Sequence, residues 1–217
     1  MPPTYDPSNP SGPAERRRSF RLLFICLVVT GIGNSMLFAI LPPLARELDV
    51  AEFFIGAIYT ISALLFLIMS PIWGALSDRY GRRPLIIFGL ASFAFSTLVF
   101  ALATVAGQLG WAPPLIAIIG MAGARALFGG FGSATNPAAQ AYVADRTSTE
   151  ERTEALAGLT AAFGLGGIVG PALAAAFVER IGIAPFMVAV SFLVAGAAVA
   201  VRFLLPEKTP PRQQRRP

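Results

Sequence analysis

Six long apolar runs, separated by short polar segments, dominate this chain and decide what it can fold into. A helix rises roughly 1.5 Å per residue, and the hydrocarbon core of a bilayer is roughly 30 Å thick, so about 20 apolar residues suffice to cross it. The runs that qualify are residues 22–41, 53–73, 85–106, 115–143, 155–178 and 183–205. The fourth is overlong and is expected to continue as one helix into the interface, ending near Asp145. Inside lipid an unpaired backbone group finds no water, so each run must close its hydrogen bonds as helix. The expected fold class is all-α, a membrane protein of six transmembrane helices. Residues 20–206 form the bundle, and 1–19 and 207–217, rich in Pro, Ser, Gln and Arg, are expected to be disordered tails.

Composition removes the main alternatives. Only 13% of the 217 residues are charged, against about a quarter in soluble domains. The net charge of +5 would suit a nucleic-acid partner only if the basic residues clustered on one soluble face, and here they are interleaved with apolar runs. The single cysteine, Cys26, lies inside an apolar run and is expected to pack as a small hydrophobe. There is no histidine, hence neither the commonest general base nor the commonest metal ligand. No cofactor, metal site or enzymatic activity is expected. Arg16-Arg17-Arg18-Ser19-Phe20 before the first run superficially suits an export signal. The run is longer than a signal core and no small-x-small cleavage site follows it, so it reads as a retained helix.

Basic residues set the direction of insertion. With the N-terminus inside, 14 Lys and Arg residues fall in cytoplasmic segments and only Arg46 and Arg180 on the other side, with Arg125 left inside the fourth run. Positive charge is retained in the cytoplasm. Both termini are therefore expected there, with the chain in the cell (inner or plasma) membrane.

The loop after the second run reads Gly74-Ala75-Leu76-Ser77-Asp78-Arg79-Tyr80-Gly81-Arg82-Arg83-Pro84. Gly74 and Gly81 permit tight turns and close backbone approach. Asp78, one carboxylate among three arginines, is expected to be ionised and hydrogen-bonded. A plainer reading, that the arginines only enforce topology, leaves Asp78 and the two glycines unexplained. This stretch resembles the signature loop between helices two and three of the major facilitator superfamily, with Pro84 at its last basic place. The resemblance implies that Asp78, Arg82 and Asp145, the last in Ala141-Tyr142-Val143-Ala144-Asp145-Arg146, form a charge relay that latches two six-helix halves, with Arg83 beside it.

Arg125 stands ten residues into the fourth run, about 15 Å deep. A charge there must face the bundle interior or water and find partners. Thr30 and Asn34 of the first run lie at similar depth, so Thr30, Asn34 and Arg125 are expected to line one cavity for substrate or coupling; a static interhelical hydrogen bond is the alternative. Arg125-Ala126-Leu127-Phe128-Gly129-Gly130-Phe131-Gly132 resembles the family's helix-four motif, with Phe128 at its glutamine. None of the six runs carries a carboxylate near the midplane, which leaves this half without an obvious proton carrier.

In the fifth run, Gly166 and Gly170 have the small-xxx-small spacing that lets helices approach closely, and Pro171 removes a backbone donor. The segment resembles the antiporter motif of the same family, departing at Ala157 and Ala174. The resemblance implies the drug:proton antiporter branch and export.

The likeness spans residues 20 to 206 but only the N-terminal six-helix half of a twelve-helix fold, whose substrate binds between two halves. The implied function is alternating-access transport of a small molecule, with protons, in partnership with a dimer mate or a separately encoded second half. A truncated or non-transporting membrane interaction protein is the other reading.

Overall fold

Among the described residues, every regular element is helical. The structure, a computed structural model, describes residues 12–207 apart from Glu52. The helices are α1 (Pro13–Glu47), α2 (Phe53–Tyr80), α3 (Arg82–Gln108), α4 (Pro114–Gly130), α5 (Thr135–Ala144), α6 (Thr149–Ile181) and α7 (Ile183–Leu204). Six spans are long and apolar enough to cross a membrane, with α4 and α5 sharing the fourth.

Two boundaries differ from expectation. Residues 13–19, expected to belong to a disordered tail, are helical: α1 starts at Pro13, whose missing N–H is not needed in a first turn, with Glu15 in that turn. Arg16 then pairs with Glu151 at 2.9 Å, tying the first turn of α1 to that of α6. At the other terminus Glu207 is likewise ordered by an Arg83 contact. The remaining parts of both expected tails, 1–11 and 208–217, lie outside the described residues.

The fourth span is not one helix. It breaks after Gly130 into a 3-10 turn over Gly132–Ala134. Gly129, Gly130 and Gly132 weaken helix locally, and Pro137 lacks the N–H that would close the ladder to Ser133. Side chains complete the interruption: Trp73 Nε1 donates to the Gly130 carbonyl at 2.6 Å, and Ser133 Oγ donates to it at 3.2 Å. The Ala134 N–H turns instead to the Phe131 carbonyl. Proline elsewhere is absorbed, since α1 runs through Pro42 and Pro43, α2 through Pro71 and α6 through Pro171.

Packing follows a symmetric scheme. α1 packs chiefly on α6, α2 on α4, and α3 on α7, with α3 also against α4 and α5. Exchanging spans one to three with spans four to six maps this scheme onto itself, as in the nested three-helix repeats known for transporters. Glycine makes both equivalent crossings close. A Cβ on Gly166 would run into the Val28 carbonyl and stand 2.7 Å from Ile32 N, and one on Gly170 would stand 2.5 Å from the Ile32 carbonyl oxygen. At the α2–α4 crossing a Cβ on Gly129 would meet the Ser62 carbonyl. Both described chain ends lie at one end of the bundle, where the Tyr142 hydroxyl donates to the Pro206 carbonyl at 3.0 Å. That end is basic.

Candidate functional site

At the basic end, Gly81 separates α2 from α3 with φ +99°, a conformation that L side chains rarely adopt. The turn carries Arg82 into the first position of α3 and points it back across the bundle. Its Nε donates to Asp145 Oδ2 at 2.9 Å, another nitrogen pairs with Asp78 one turn earlier, and Nη1 reaches Ser77 Oγ. One planar guanidinium thus joins the end of α2 to the C-cap of α5, a fork geometry that lysine lacks. Both carboxylates remain about a third exposed and Arg82 is largely covered.

Arg83 does not join this cluster. Its backbone N–H donates to Glu207 Oε2 at 2.6 Å and its side chain to the Arg202 carbonyl, so it fastens α3 to the end of α7. Gly74 is not crowded either, because a Cβ there would meet only Pro137 at 3.9 Å. Gly81→Ala is expected to cost about 1–3 kcal/mol and to unfold earlier in a detergent thermal melt. Gly158→Ala, whose added carbon meets open space, is the matched control and is expected to melt as the parent.

Deeper in the bundle, Arg125 is 5% exposed. Its Nη2 donates to Asn34 Oδ1 of α1 at 3.1 Å, and its guanidinium lies 4.5 Å from the centroid of Phe128, one turn along α4. Phe128 stands where the resembling motif has glutamine and gives the guanidinium a cation–π contact. Thr30 is not brought to this site: it is buried, and its hydroxyl donates back to the Cys26 carbonyl at 2.8 Å within α1.

Tyr59 and Phe38, absent from the sequence reading, flank the site. Phe38 is one turn beyond Asn34 and stacks on Tyr59 of α2, centroids 4.6 Å apart and planes within 10°. Both the Tyr59 hydroxyl and Arg125 Nε are buried without a hydrogen-bond partner. A tyrosine six residues into an apolar run was the one available signal, and only the α1–α2–α4 packing gives it meaning.

The Major Facilitator Superfamily model matches residues 23–217. The chain belongs to the major facilitator superfamily. Among curated relatives of this superfamily member, Multidrug resistance protein 2 of Bacillus subtilis (strain 168) is 30% identical over 89% of the chain and 45% of its own length. The class B tetracycline resistance protein of Escherichia coli is 30% identical over 81% of the chain and 43% of its own. The crystal structure of the human organic anion transporter MFSD10 (TETRAN) shares the fold, with TM-score 0.69 and 24% identity over 92% of this chain and 49% of that one. The chain thus spans about half the length of the relatives it matches. Superfamily members are multi-pass membrane transporters rather than enzymes, which agrees with the six spans.

Proposed function

We propose that this chain is the N-terminal half of an exporter that moves drugs or metabolites by alternating access, linked to protons, and that it works against a second six-helix half. Arg125 carries this reading. An arginine about 16 Å along α4 from Pro114 is costly in a bilayer and marks a ligand or ion pathway. Its neighbours Asn34 and Tyr59 are only half-buried, so the site opens to one side of the bundle. α2 and α6 are the least covered spans, and they offer the faces against which a dimer mate or separately encoded half would rock. The Asp78–Arg82–Asp145 cluster serves as the latch that breaks and reforms between states, on the cytoplasmic side with both termini. The apolar runs hold no carboxylate near the midplane, so proton linkage falls to the other half or to the interfacial acids.

Cells expressing the chain, with a second half supplied, are expected to expel ethidium or tetracycline faster than vector controls. Arg125→Ala is expected to remove at least about tenfold of that rate, the loss of one charged hydrogen-bonding group. Efflux at vector level in every pairing would overturn the proposal.

A further inference from the structure

The basic end of the bundle holds a cavity that the transport reading leaves without a role. We infer that it binds the phosphate diester of an anionic phospholipid, with the phosphate on Arg18 and Arg83 and the acyl chains along Phe203 and Leu204. Binding there goes beyond the transport reading and is independent of what the chain moves.

Charge comes first. The cavity, of about 310 Å3, lies where the starts of α1 and α3 meet the end of α7, and both Arg18 and Arg83 line it. Arg18 is exposed and Arg83 half-buried. Among the described residues neither forms an ion pair with a carboxylate. Glu207 takes the backbone N–H of Arg83, while the Arg83 side chain donates to the Arg202 carbonyl and keeps an Nε without a partner. A guanidinium can only donate, and phosphate oxygens match its planar fork. Glu15 is the one carboxylate lining the cavity, and it is engaged in an interaction of its own. Two cations thus face one anion.

The walls suit a lipid better than a free phosphate. Ser19 and Leu205, 2% and 1% exposed, form the inner wall, whereas Phe203 at 78% and Leu204 at 43% form the rim. An apolar rim so open to water is unfavourable, and acyl chains cover it where a free anion leaves it bare. Basic pockets between membrane helices, with further Lys and Arg beyond a helix end, recruit anionic headgroups. Lys208, Arg212, Arg215 and Arg216 follow α7 in the sequence.

Placement favours lipid over protein. The cavity is bounded by α1, α3 and α7, whereas α2 and α6 are the least covered spans and the faces offered to a second half. It therefore lies on a side of the bundle that lipid covers.

The test is native mass spectrometry of the full chain in detergent, titrated with phosphatidylglycerol and phosphatidylcholine. The first phosphatidylglycerol is expected to bind about 25-fold tighter than phosphatidylcholine, about fivefold for each arginine. Arg18→Gln is expected to lose about fivefold of that preference, and Arg18→Gln combined with Arg83→Gln nearly all of it. Arg21→Gln, exposed on the same part of α1 but outside this cavity, is expected to keep the preference. Inorganic phosphate and glycerophosphate in large excess are expected not to displace the lipid. If the double variant does not fold, Arg18→Gln, altered at an exposed side chain, decides alone. Equal affinity for the two lipids would overturn the assignment, as would equal losses in Arg21→Gln and Arg18→Gln, which mark diffuse attraction to a basic end. Displacement by inorganic phosphate would overturn it in favour of a soluble anion. Efflux enters none of these measurements, so their failure leaves the transport reading where it stood.

Discussion

Gly166→Leu is expected to abolish recovery of folded chain from membranes, with Gly170→Leu close behind. In soluble cores, overpacking costs about 1–3 kcal/mol because side chains and backbone shift to make room. Here the first added carbon meets backbone on α1, at the Val28 carbonyl and Ile32 N, so no rotamer change relieves the clash and the whole α1–α6 pair must separate. Separation would also break the bond from Ser35 Oγ to the Gly166 carbonyl, 3.2 Å across the same crossing, and leave a cavity along an interface held by van der Waals contact. A loss beyond about 4 kcal/mol, exceptional for one substitution, is therefore expected. Gly167→Leu, one residue along, places its Cβ in open space and is expected to fold normally. Fluorescence-detected size-exclusion chromatography of the three variants checks the contrast. Normal monodisperse Gly166→Leu would refute the packing account.

Arg82→Gln is expected to have the largest effect outside the glycine crossings. It removes the positive charge standing between Asp78 and Asp145, leaving two carboxylates facing each other across the basic end. Because both acids keep about a third of their exposure, solvent screens part of the repulsion, and the stability loss is expected to be about 1–3 kcal/mol. Arg82→Lys is expected to recover less than half, since an ammonium cannot hold Ser77, Asp78 and Asp145 with one planar fork. Adding Asp145→Asn to Arg82→Gln is expected to cost little more, the signature of residues that act as a unit. Under the proposed latch, transport by the assembled protein falls with the same variants, and Asp78→Asn lowers it even where the melting temperature is unchanged. Thermal melts of the double-mutant set alongside efflux rates separate the structural part from the conformational part.

Half of the candidate site was legible in the residues. The residues alone marked Asp78 as a carboxylate among arginines, and its grouping with Arg82 and Asp145 came from the resemblance to the family's signature loop. Arg125 is conspicuous as a charge inside an apolar run, and Asn34 followed from equal depth. Depth alone, however, does not say which way a side chain turns. Thr30 lies one helical turn from Asn34, yet its hydroxyl satisfies itself on the Cys26 carbonyl, a local bond that competes with any cavity role. Arg83, adjacent to Arg82, points to the end of α7 instead.

The number of crossings and the helical class follow from the chain alone, because hydrocarbon forbids unpaired backbone and the length of each apolar run meets the bilayer thickness. Apolar pattern carries no information about partners, since every face of a span is greasy whether it meets lipid or protein. So it was tertiary packing that set α1 against α6 and α2 against α4 through particular glycine–carbonyl approaches. Packing also broke the fourth span, where Trp73 captured the Gly130 carbonyl, and brought Tyr59 and Phe38 beside Arg125. Each of these depends on what stands within a few ångströms across a helix boundary, a distance that positions along a sequence do not encode.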